Sequence, residues 1–186
     1  MGPNVLSKAN QSQLLIIDVQ EKLLQSVPGN IINSVIKNIN AIQEMALLLE
    51  IPTLITEQYP KGLGATDPRI SNKQNNNFPT IEKTSFSCCQ AQDFNSHVNH
   101  EKNQIIIVGM ESHICVLQTA LQLQALNKQV FVIEDASCSR NKHNHQNAIS
   151  RLSKNNIIIS NTESLLFEWL EDASHPHFKT ASRLIR

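Results

Sequence analysis

The stretch that decides the fold runs over residues 104–124 and reads "QIIIVGMESHICVLQTALQLQ". Its first seven residues are rich in β-branched side chains and do not alternate with polar ones, which is typical of a strand buried on both faces of a parallel sheet. After Cys115, apolar side chains recur at helical spacing, while Gln118 and Gln122 fall on the polar side. The stretch therefore predicts a buried strand, a turn and a helix, with Cys115 near the start of that helix.

Further apolar runs on both sides of this stretch predict additional strands, and helical patterns fill the gaps between them. The predicted strands are 14–19, 51–56, 130–135 and 156–160, and the predicted helices are 30–50, 143–154, 162–172 with Thr162 as its N-cap, and a short one within 175–185. This alternation is typical of repeated βαβ units with right-handed crossovers. We therefore predict an α/β fold: a three-layer α/β/α sandwich around a central, mainly parallel sheet.

The chain has 186 residues, of which 40% are hydrophobic, and this suits a single domain over residues 1–186. Residues 1–12 are expected to form a flexible N-terminal segment. Residues 57–79, rich in Gly, Pro and Asn, are the one long stretch predicted to be irregular. A loop of that length in a compact domain is often functional.

Charge and composition argue against several classes of partner. Sixteen basic residues balance sixteen acidic ones without a block of either sign, which disfavours nucleic acid and an anionic membrane as partners. No apolar run reaches transmembrane length, and the N-terminus lacks the pattern of a secretory signal. The four cysteines show neither a C-x-x-C pair nor zinc-type spacing. We therefore expect reduced thiols and a cytoplasmic protein.

Residues that follow the predicted strands are the first candidates for chemistry, because ligands bind at the carboxyl ends of such sheets. Asp18 lies between Ile17 and Val19, so its burial demands a partner or a task; a helix cap or a buried salt bridge is an equally good interpretation. Cys115 lies near a helix start, where the dipole is expected to lower its pKa and the amides are able to hold an oxyanion. For Cys88, Cys89 and Cys138, simple packing is the better interpretation.

Other patterns give weaker signals. Spacing alone does not select Lys83 in "TIEKTSFS", since a lysine there is most often a solvated charge. The chain has no G-x-S-x-G, no G-x-G-x-x-G and no P-loop, which disfavours a serine nucleophile and a nucleotide cofactor. The pairs His143/His145 and His175/His177 are interpreted as surface histidines. His113, two positions before Cys115, is interpreted as a turn or rim residue.

Several segments, taken in order, resemble the isochorismatase-like cysteine hydrolases, the superfamily that includes nicotinamidases and N-carbamoylsarcosine amidases. They are "LLIIDVQ" (14–20), "EKTSF" (82–86), "IIIVGMESHICVLQTALQL" (105–123) and "VFVIEDASCSR" (130–140). The resemblance extends from Leu14 to the tail "DASHPHFK" (172–179). Within the superfamily the chain is most similar to the isochorismatase domain-containing proteins, because of that tail and "TEQYPKGLGAT" (56–66).

The resemblance implies a catalytic triad of Asp18, Lys83 and Cys115, and a cis peptide bond between Met110 and Glu111. The backbone amides of Glu111 and Cys115 would then form the oxyanion hole. In this mechanism Asp18 takes the thiol proton, Cys115 attacks a carbonyl carbon, and water later resolves the thioester. Lys83 would hold Asp18 and support the reaction by its charge. No cofactor is required.

Departures from the known members narrow the expected chemistry. True isochorismatases resemble this fold but lack the nucleophilic cysteine, so Cys115 argues against vinyl-ether hydrolysis. Nicotinamidases carry an Asp-x-His metal motif after the second strand, where this chain reads "TEQYPKGLG" and has no histidine before His97. The expectation is therefore a hydrolase of a C–N bond in a small amide-like molecule, without a catalytic metal. By analogy, the protein is also expected to be a homo-oligomer.

Four further residues are predicted to line the substrate pocket: Gln20, Glu57, Gln58 and Tyr59. Two other functions stay open at this point. One is an interaction module that keeps the fold with little turnover. The other is a thiol-redox role for Cys115, which the absence of a clear resolving cysteine disfavours.

Overall fold

A parallel sheet forms the centre of the protein in this computed structural model, which describes residues 6–71 and 78–186. Within the described residues the sheet has six strands in the order β3-β2-β1-β4-β5-β6, and every neighbouring pair is parallel. The strands are β1 (Ser12–Ile17), β2 (Thr53–Gln58), β3 (Thr80–Lys83), β4 (Gln104–Met110), β5 (Gln129–Cys138) and β6 (Ile158–Ser160). The predicted parallel sheet is confirmed.

Helices cover both faces of the sheet, which confirms the three-layer architecture. They are α1 (Glu21–Leu24), α2 (Gly29–Leu48), α3 (Pro60–Leu63), α4 (Pro68–Ser71), α5 (Phe94–His97), α6 (Leu117–Ala125), α7 (Lys142–Ser153), α8 (Thr162–Leu170) and α9 (Phe178–Leu184). One core layer joins α2, α8 and α9 to the sheet through residues such as Ile39, Phe131 and Leu165. The other joins α6 and α7 to the opposite face through Ile107 and Leu152.

The two central strands, β1 and β4, approach each other closely at Gly109. This residue pairs with Ile17 and has a φ of +114°, a conformation that side chains rarely adopt. A Cβ atom at Gly109 would lie 2.1 Å from the carbonyl oxygen of Ile17. Only glycine therefore fits at this position.

The observed elements differ from the predicted ones at the end of β5 and at the start of α8. β5 continues beyond the predicted end at Asp135 as far as Cys138, after a register shift in its pairing with β4. The N-cap of α8 is Asn161, whose side chain accepts from the amide of Ser164; Thr162, predicted as the cap, instead donates to Asp135. The cap prediction is wrong because Thr162 is already the first residue of the helix, where its amide and hydroxyl both donate to Asp135, while Asn161 before it supplies the capping oxygen.

The region predicted to be irregular, 57–79, is partly ordered. It begins with the last residues of β2 and contains the short helices α3 and α4. Most of the asparagine-rich segment "KQNNNFP" lies outside the described residues. The strand β3 follows, and it carries Lys83 at its end.

Side-chain hydrogen bonds hold the chain from Ser7 onward against α8. The Ser7 amide donates to the Glu168 carboxylate at 2.8 Å, and the Trp169 indole N–H lies 2.9 Å from the Ser7 hydroxyl and 3.1 Å from that of Ser12. Ser7 and Ser12 are fully buried. Residues 7–12, which the sequence assigned to a flexible N-terminal segment, thus make specific contacts in the structure.

Candidate active site

The predicted catalytic residues converge at the carboxyl edge of the sheet, where the strand order reverses between β1 and β4. Asp18 follows β1, Cys115 follows β4, and Lys83 ends β3. In open α/β sheets this reversal opens a crevice in which ligands bind. The fold therefore positions a candidate site at the place where such sheets ordinarily bind their ligands.

Asp18 is completely buried, and both of its carboxylate oxygens have partners. Oδ1 accepts a 2.7 Å hydrogen bond from the hydroxyl of Thr56, and Oδ2 lies 2.6 Å from Nζ of Lys83. The side chains of Asp18 and Lys83 are both 0% exposed. Asp18 thus forms the buried salt bridge that the sequence left open as one interpretation, and it forms it inside the candidate site.

Lys83 is a buried, fully bonded cation and not the solvated charge that its spacing favours. Besides Asp18, its ammonium group donates to Oε1 of Gln58 at 2.7 Å and to the carbonyl oxygens of Ser85 and Phe86 at 3.3 and 3.2 Å. Burial is the largest influence and lowers the pKa of Lys83, but the charge and hydrogen bond of Asp18 together with the neighbouring Cys88 and Cys115 outweigh it, and the pKa is raised. Lys83 therefore stays protonated beside the carboxylate.

Cys115 lies in a π-helical turn, Ser112–Val116, that joins β4 to α6. The residue is 6% exposed, and its thiol lies next to Asp18 and Lys83. Burial raises its pKa, the charge of Asp18 raises it further, and Lys83 only partly opposes them. The predicted lowering of this pKa is therefore wrong, because burial and a neighbouring carboxylate outweigh the helix start. The resting site holds a thiol next to a carboxylate base.

Glu111 begins the turn and is anchored by Arg140. The peptide bond between Met110 and Glu111 is cis, as the resemblance implies. The Glu111 carboxylate accepts from the Arg140 amide at 2.9 Å and from its guanidinium at 2.7 Å. The Glu111 carbonyl accepts from Ile114 and Val116. Within residues 6–71 and 78–186, the Glu111 amide itself has no hydrogen-bond acceptor.

Two of the predicted pocket residues hold the loop after β2 in place. Gln20 is completely buried; its amide nitrogen donates to the carbonyls of Gln58 and Gly64, and its oxygen accepts from the Gln58 amide. Glu57 accepts from the amide and hydroxyl of Thr66 at 2.6 and 2.7 Å. The polar atoms of Gln20 and Glu57 are thus bonded to backbone and loop groups, and a role for these two residues in the substrate pocket stays a prediction.

The other two predicted pocket residues lie beside Lys83. Gln58 bridges the Lys83 ammonium group and the carbonyl of Thr84. Tyr59 is 54% exposed and borders a cleft of about 520 Å³. The other residues that line this cleft are Pro60, Lys61, Glu82, Lys83, Thr84, Ser85, Gln90, Ala91 and Gln92. Of the three triad residues only Lys83 borders this cleft, and its side chain is 0% exposed.

Cys88 is a neighbour of the site that the sequence did not indicate. It is completely buried, its sulfur lies 3.8 Å from the Thr56 hydroxyl, and its amide donates to the Thr119 hydroxyl. Burial raises the pKa of Cys88 to about 12, partly opposed by the charge of Lys83. Its place just after the strand end that carries Lys83 is the one signal that pointed to it.

Within the described residues, no group of three or more His, Cys, Asp or Glu side chains is arranged to hold a metal ion. Among the helices in the same part of the chain, none has the length and apolar character needed to cross a membrane.

Comparison with known proteins identifies the family. The model of the isochorismatase domain matches residues 12–164. Isochorismatase domain-containing protein 2 of Bos taurus is 33% identical over 94% of this chain and 83% of its own length. The structure of MAR1 ribonuclease from Caenorhabditis elegans is 31% identical, with a TM-score of 0.89 over 97% of this chain and 92% of that one.

A more distant structure shares the fold. The octameric YcaC gene product of Escherichia coli, a hydrolase of unknown specificity, is 23% identical with a TM-score of 0.86, and the match covers 100% of this chain and 97% of that one. The matched family segment spans β1 to β6 and includes Asp18, Lys83 and Cys115. The chain belongs to the isochorismatase domain family, within the isochorismatase-like hydrolases.

Proposed function

We propose that this protein hydrolyses a C–N bond of a small amide-like molecule through a thioester on Cys115. The observation that carries the proposal is the buried contact of the Cys115 thiol with Asp18, whose carboxylate is held 2.6 Å from Lys83. A buried carboxylate beside a thiol is positioned to act as a general base.

Because burial and the charge of Asp18 raise the pKa of Cys115, the thiol is protonated at rest, and we propose that its proton leaves as the sulfur attacks. The sulfur forms a bond to the carbonyl carbon while Asp18 takes the thiol proton, and the carbonyl electron pair moves to oxygen. When the intermediate collapses, the C–N bond breaks and Asp18 gives its proton to the leaving nitrogen. Water then attacks the thioester carbon while Asp18 accepts a proton from it. The C–S bond breaks, the carboxylic acid leaves, and Asp18 returns the proton to the sulfur. Lys83 compensates the charge of Asp18 whenever this carboxylate is ionised.

The backbone amide of Glu111 is a candidate donor to the oxyanion that develops in the tetrahedral intermediate. It lies at the start of the turn that carries Cys115, and it has no acceptor within the described residues. Donors that are fixed before the reaction stabilise a tetrahedral intermediate most effectively. We assign the Glu111 and Cys115 amides to this role.

A labelling experiment tests the triad without a known substrate. Iodoacetamide should alkylate Cys115 faster than the more exposed Cys89, although Cys89 is easier to reach. Asp18→Asn removes the general base but also the charge that raises the Cys115 pKa, so the two changes oppose each other in the alkylation rate. The loss of the general base should appear in turnover, which should fall by about 10²-fold or more for any amide that the protein hydrolyses. Cys138→Ala, which removes a buried thiol that is not part of the triad, is the matched control. A Cys115 thiol that reacts no faster than Cys89 would contradict the proposal.

A panel of small amides then identifies the substrate class. Turnover that vanishes in Cys115→Ala and persists in Cys138→Ala supports a cysteine hydrolase. Turnover that survives in Cys115→Ala rules the thioester out. A folded protein with a reactive Cys115 and no turnover of any amide would favour the interaction module.

RNA cleavage is a second candidate, since the 31%-identical neighbour is named a ribonuclease. The balance of sixteen basic and sixteen acidic residues argues against a polyanionic substrate. Incubation with labelled single-stranded RNA decides between the two. Cleavage that is lost in Cys115→Ala would replace the amidase proposal.

We also propose that the protein is a homo-oligomer. The octameric state named for the E. coli neighbour supports this assembly as a possibility for the shared fold. Light scattering on purified protein measures the mass directly. A mass near the 20.9 kDa of one chain at all concentrations would contradict the proposal.

A further inference from the structure

The turn that carries Cys115 is tied to the start of α7 by two adjacent side-chain contacts. Oγ of Ser112 lies 2.9 Å from Nδ1 of His145. Next to it, Nε2 of His113 lies 3.3 Å from the amide nitrogen of Asn144. Two neighbouring residues of the turn therefore meet two neighbouring residues of the helix.

The contact between Ser112 and His145 is the more buried of the two. Ser112 is 0% exposed, and the His145 side chain is 17% exposed. Within the described residues, His145 is the hydrogen-bond partner of the Ser112 hydroxyl. A neutral histidine with its proton on Nε2 presents Nδ1 as an acceptor, so the Ser112 hydroxyl donates to it. Nε2 then faces Oε1 of Glu134 at 3.8 Å.

We propose that His145 is a positioning residue for Cys115. By accepting the Ser112 hydroxyl proton, His145 holds the first residue of the π-helical turn, and this fixes where the thiol lies relative to Asp18. The inference rests on the proposed role of Cys115 as the nucleophile. It gives a function to a histidine that the sequence assigned to the surface.

Protonation of His145 would reverse this hydrogen bond. Once Nδ1 carries a proton it donates to Ser112, and the buried hydroxyl proton loses its acceptor. Burial lowers the pKa of His145, with Glu134 partly opposing, so the change falls below the ordinary histidine range.

Few charges face His145 from the elements packed against α7. Glu134 lies on β5 and His113 on the turn, while Asp135 of β5 is occupied by Thr162. α6 and β6 contain no charged residue, and the Glu111–Arg140 pair lies at the start of the turn. The Glu134 carboxylate, 51% exposed, is therefore the group most able to shift the titration of His145.

The test measures the alkylation of Cys115 by iodoacetamide between pH 5 and pH 8 in four proteins: wild type, His145→Leu, His145→Asn and His143→Asn. His145→Leu removes the acceptor and should slow alkylation about tenfold at pH 7.5, as expected for loss of one hydrogen bond to a buried group. In His145→Asn an amide oxygen replaces Nδ1 as a non-titrating acceptor, so the rate should stay within about twofold of wild type at that pH.

The pH profile separates positioning from simple packing. Below pH about 6.5, the ordinary histidine pKa, the ratio of the His145→Asn rate to the wild-type rate should rise as the pH falls. His143→Asn, at an exposed position on the same helix, should follow wild type at every pH. A flat ratio for His145→Asn, or an unchanged rate for His145→Leu, would overturn the inference.

Two checks keep this result separate from the triad itself. If the proposed function is wrong, Cys115 of the wild-type protein should be alkylated no faster than Cys89, and no variant is needed to see this. Circular dichroism shows whether His145→Leu remains folded. If it does not, the pH profile of His145→Asn decides.

Discussion

Two ion pairs flank Cys115, and they are alike in length but different in burial. Asp18 and Lys83 lie 2.6 Å apart with both side chains 0% exposed. Glu111 and Arg140 lie 2.7 Å apart, but the Arg140 side chain is 53% exposed while that of Glu111 is 5% exposed. One pair is sealed in the protein interior, and the other has one end in water.

The distance between the two charged groups therefore does not determine how much an ion pair contributes to the free energy of unfolding. Removing one partner of a buried pair leaves an uncompensated charge in a poorly solvated place, whereas water replaces the lost partner of an exposed one. Asp18 needs Lys83 both for stability and for the proposed chemistry. Glu111 retains the Arg140 backbone amide even if the guanidinium is removed.

The largest effect is expected when the buried pair is broken. Lys83→Met should lower the free energy of unfolding by about 3–5 kcal/mol, because Asp18 stays buried without its cation. Urea unfolding at pH 7 measures this loss. The double variant Asp18→Asn/Lys83→Met removes both charges and should recover most of the stability. Equal losses in the single and double variants would show that packing, and not charge, explains the effect.

Alkaline pH tests a property that the two regions share. Cys88 beside Lys83 and Cys138 beside Glu111 both have a pKa raised to about 12, mainly by burial. Above pH about 9 the unfolded thiol ionises while the folded one does not, so each contributes a loss of about 1.4 kcal/mol per pH unit.

Urea unfolding at several pH values between 7 and 10.5 measures this decline in the free energy of unfolding. Cys88→Ala and Cys138→Ala should each flatten it by a similar slope. Lys83 adds to the decline only when the pH rises through its own raised pKa, above 10.5. A stability that is constant up to pH 10.5 would contradict the burial of these thiols.

A smaller effect is expected when the exposed pair is broken. Arg140→Met should lower the free energy of unfolding by about 1.5–3 kcal/mol, because the buried Glu111 carboxylate loses one charged partner but keeps its hydrogen bond from the amide of residue 140. The same urea titration applies, with Arg140→Lys as the variant that keeps the charge. A loss as large as that of Lys83→Met would remove the contrast between the two pairs.

The smallest effect on stability is expected at the wall of the cleft. Tyr59→Ala should change the free energy of unfolding by less than about 0.5 kcal/mol, as is usual for exposed side chains. Its effect should appear instead as a raised KM for any amide that the protein turns over. Gln20→Ala, which leaves three buried backbone partners unpaired, is the contrasting variant and should destabilise the fold. An unchanged KM in Tyr59→Ala would exclude Tyr59 from the substrate site.

Most of the fold could be predicted from the sequence because the buried strands carry a strong pattern. β4 begins and ends where the apolar run does, at Gln104 and Met110. β3 was harder to predict, since its residues alternate between exposed and buried and it is only four residues long. It becomes recognisable through its pairing with β2, which sequence spacing does not show.

The sequence predicts those site residues that follow the ends of buried strands. It does not predict the contacts between residues that only tertiary packing brings together. The rule for parallel sheets points to Asp18 and Cys115, but the partners of Lys83 come from β1, β2 and the turn after β3. The protonated state of Cys115 follows from its burial beside Asp18, and a helix start alone suggests the opposite. Likewise, His145 and Cys88 reach the site only because α7 and the turn after β3 pack against it.

The contact of Trp169 with Ser7 and Ser12 also makes a probe of the protein. The chain has a single tryptophan, 3% exposed, whose indole N–H is bound to two hydroxyl groups where the N-terminal segment meets α8. Its fluorescence therefore reports on one defined place, more than a hundred residues away in sequence from the segment it touches. A red shift of that emission marks the release of residues 7–12 from α8, and it does so without any added dye.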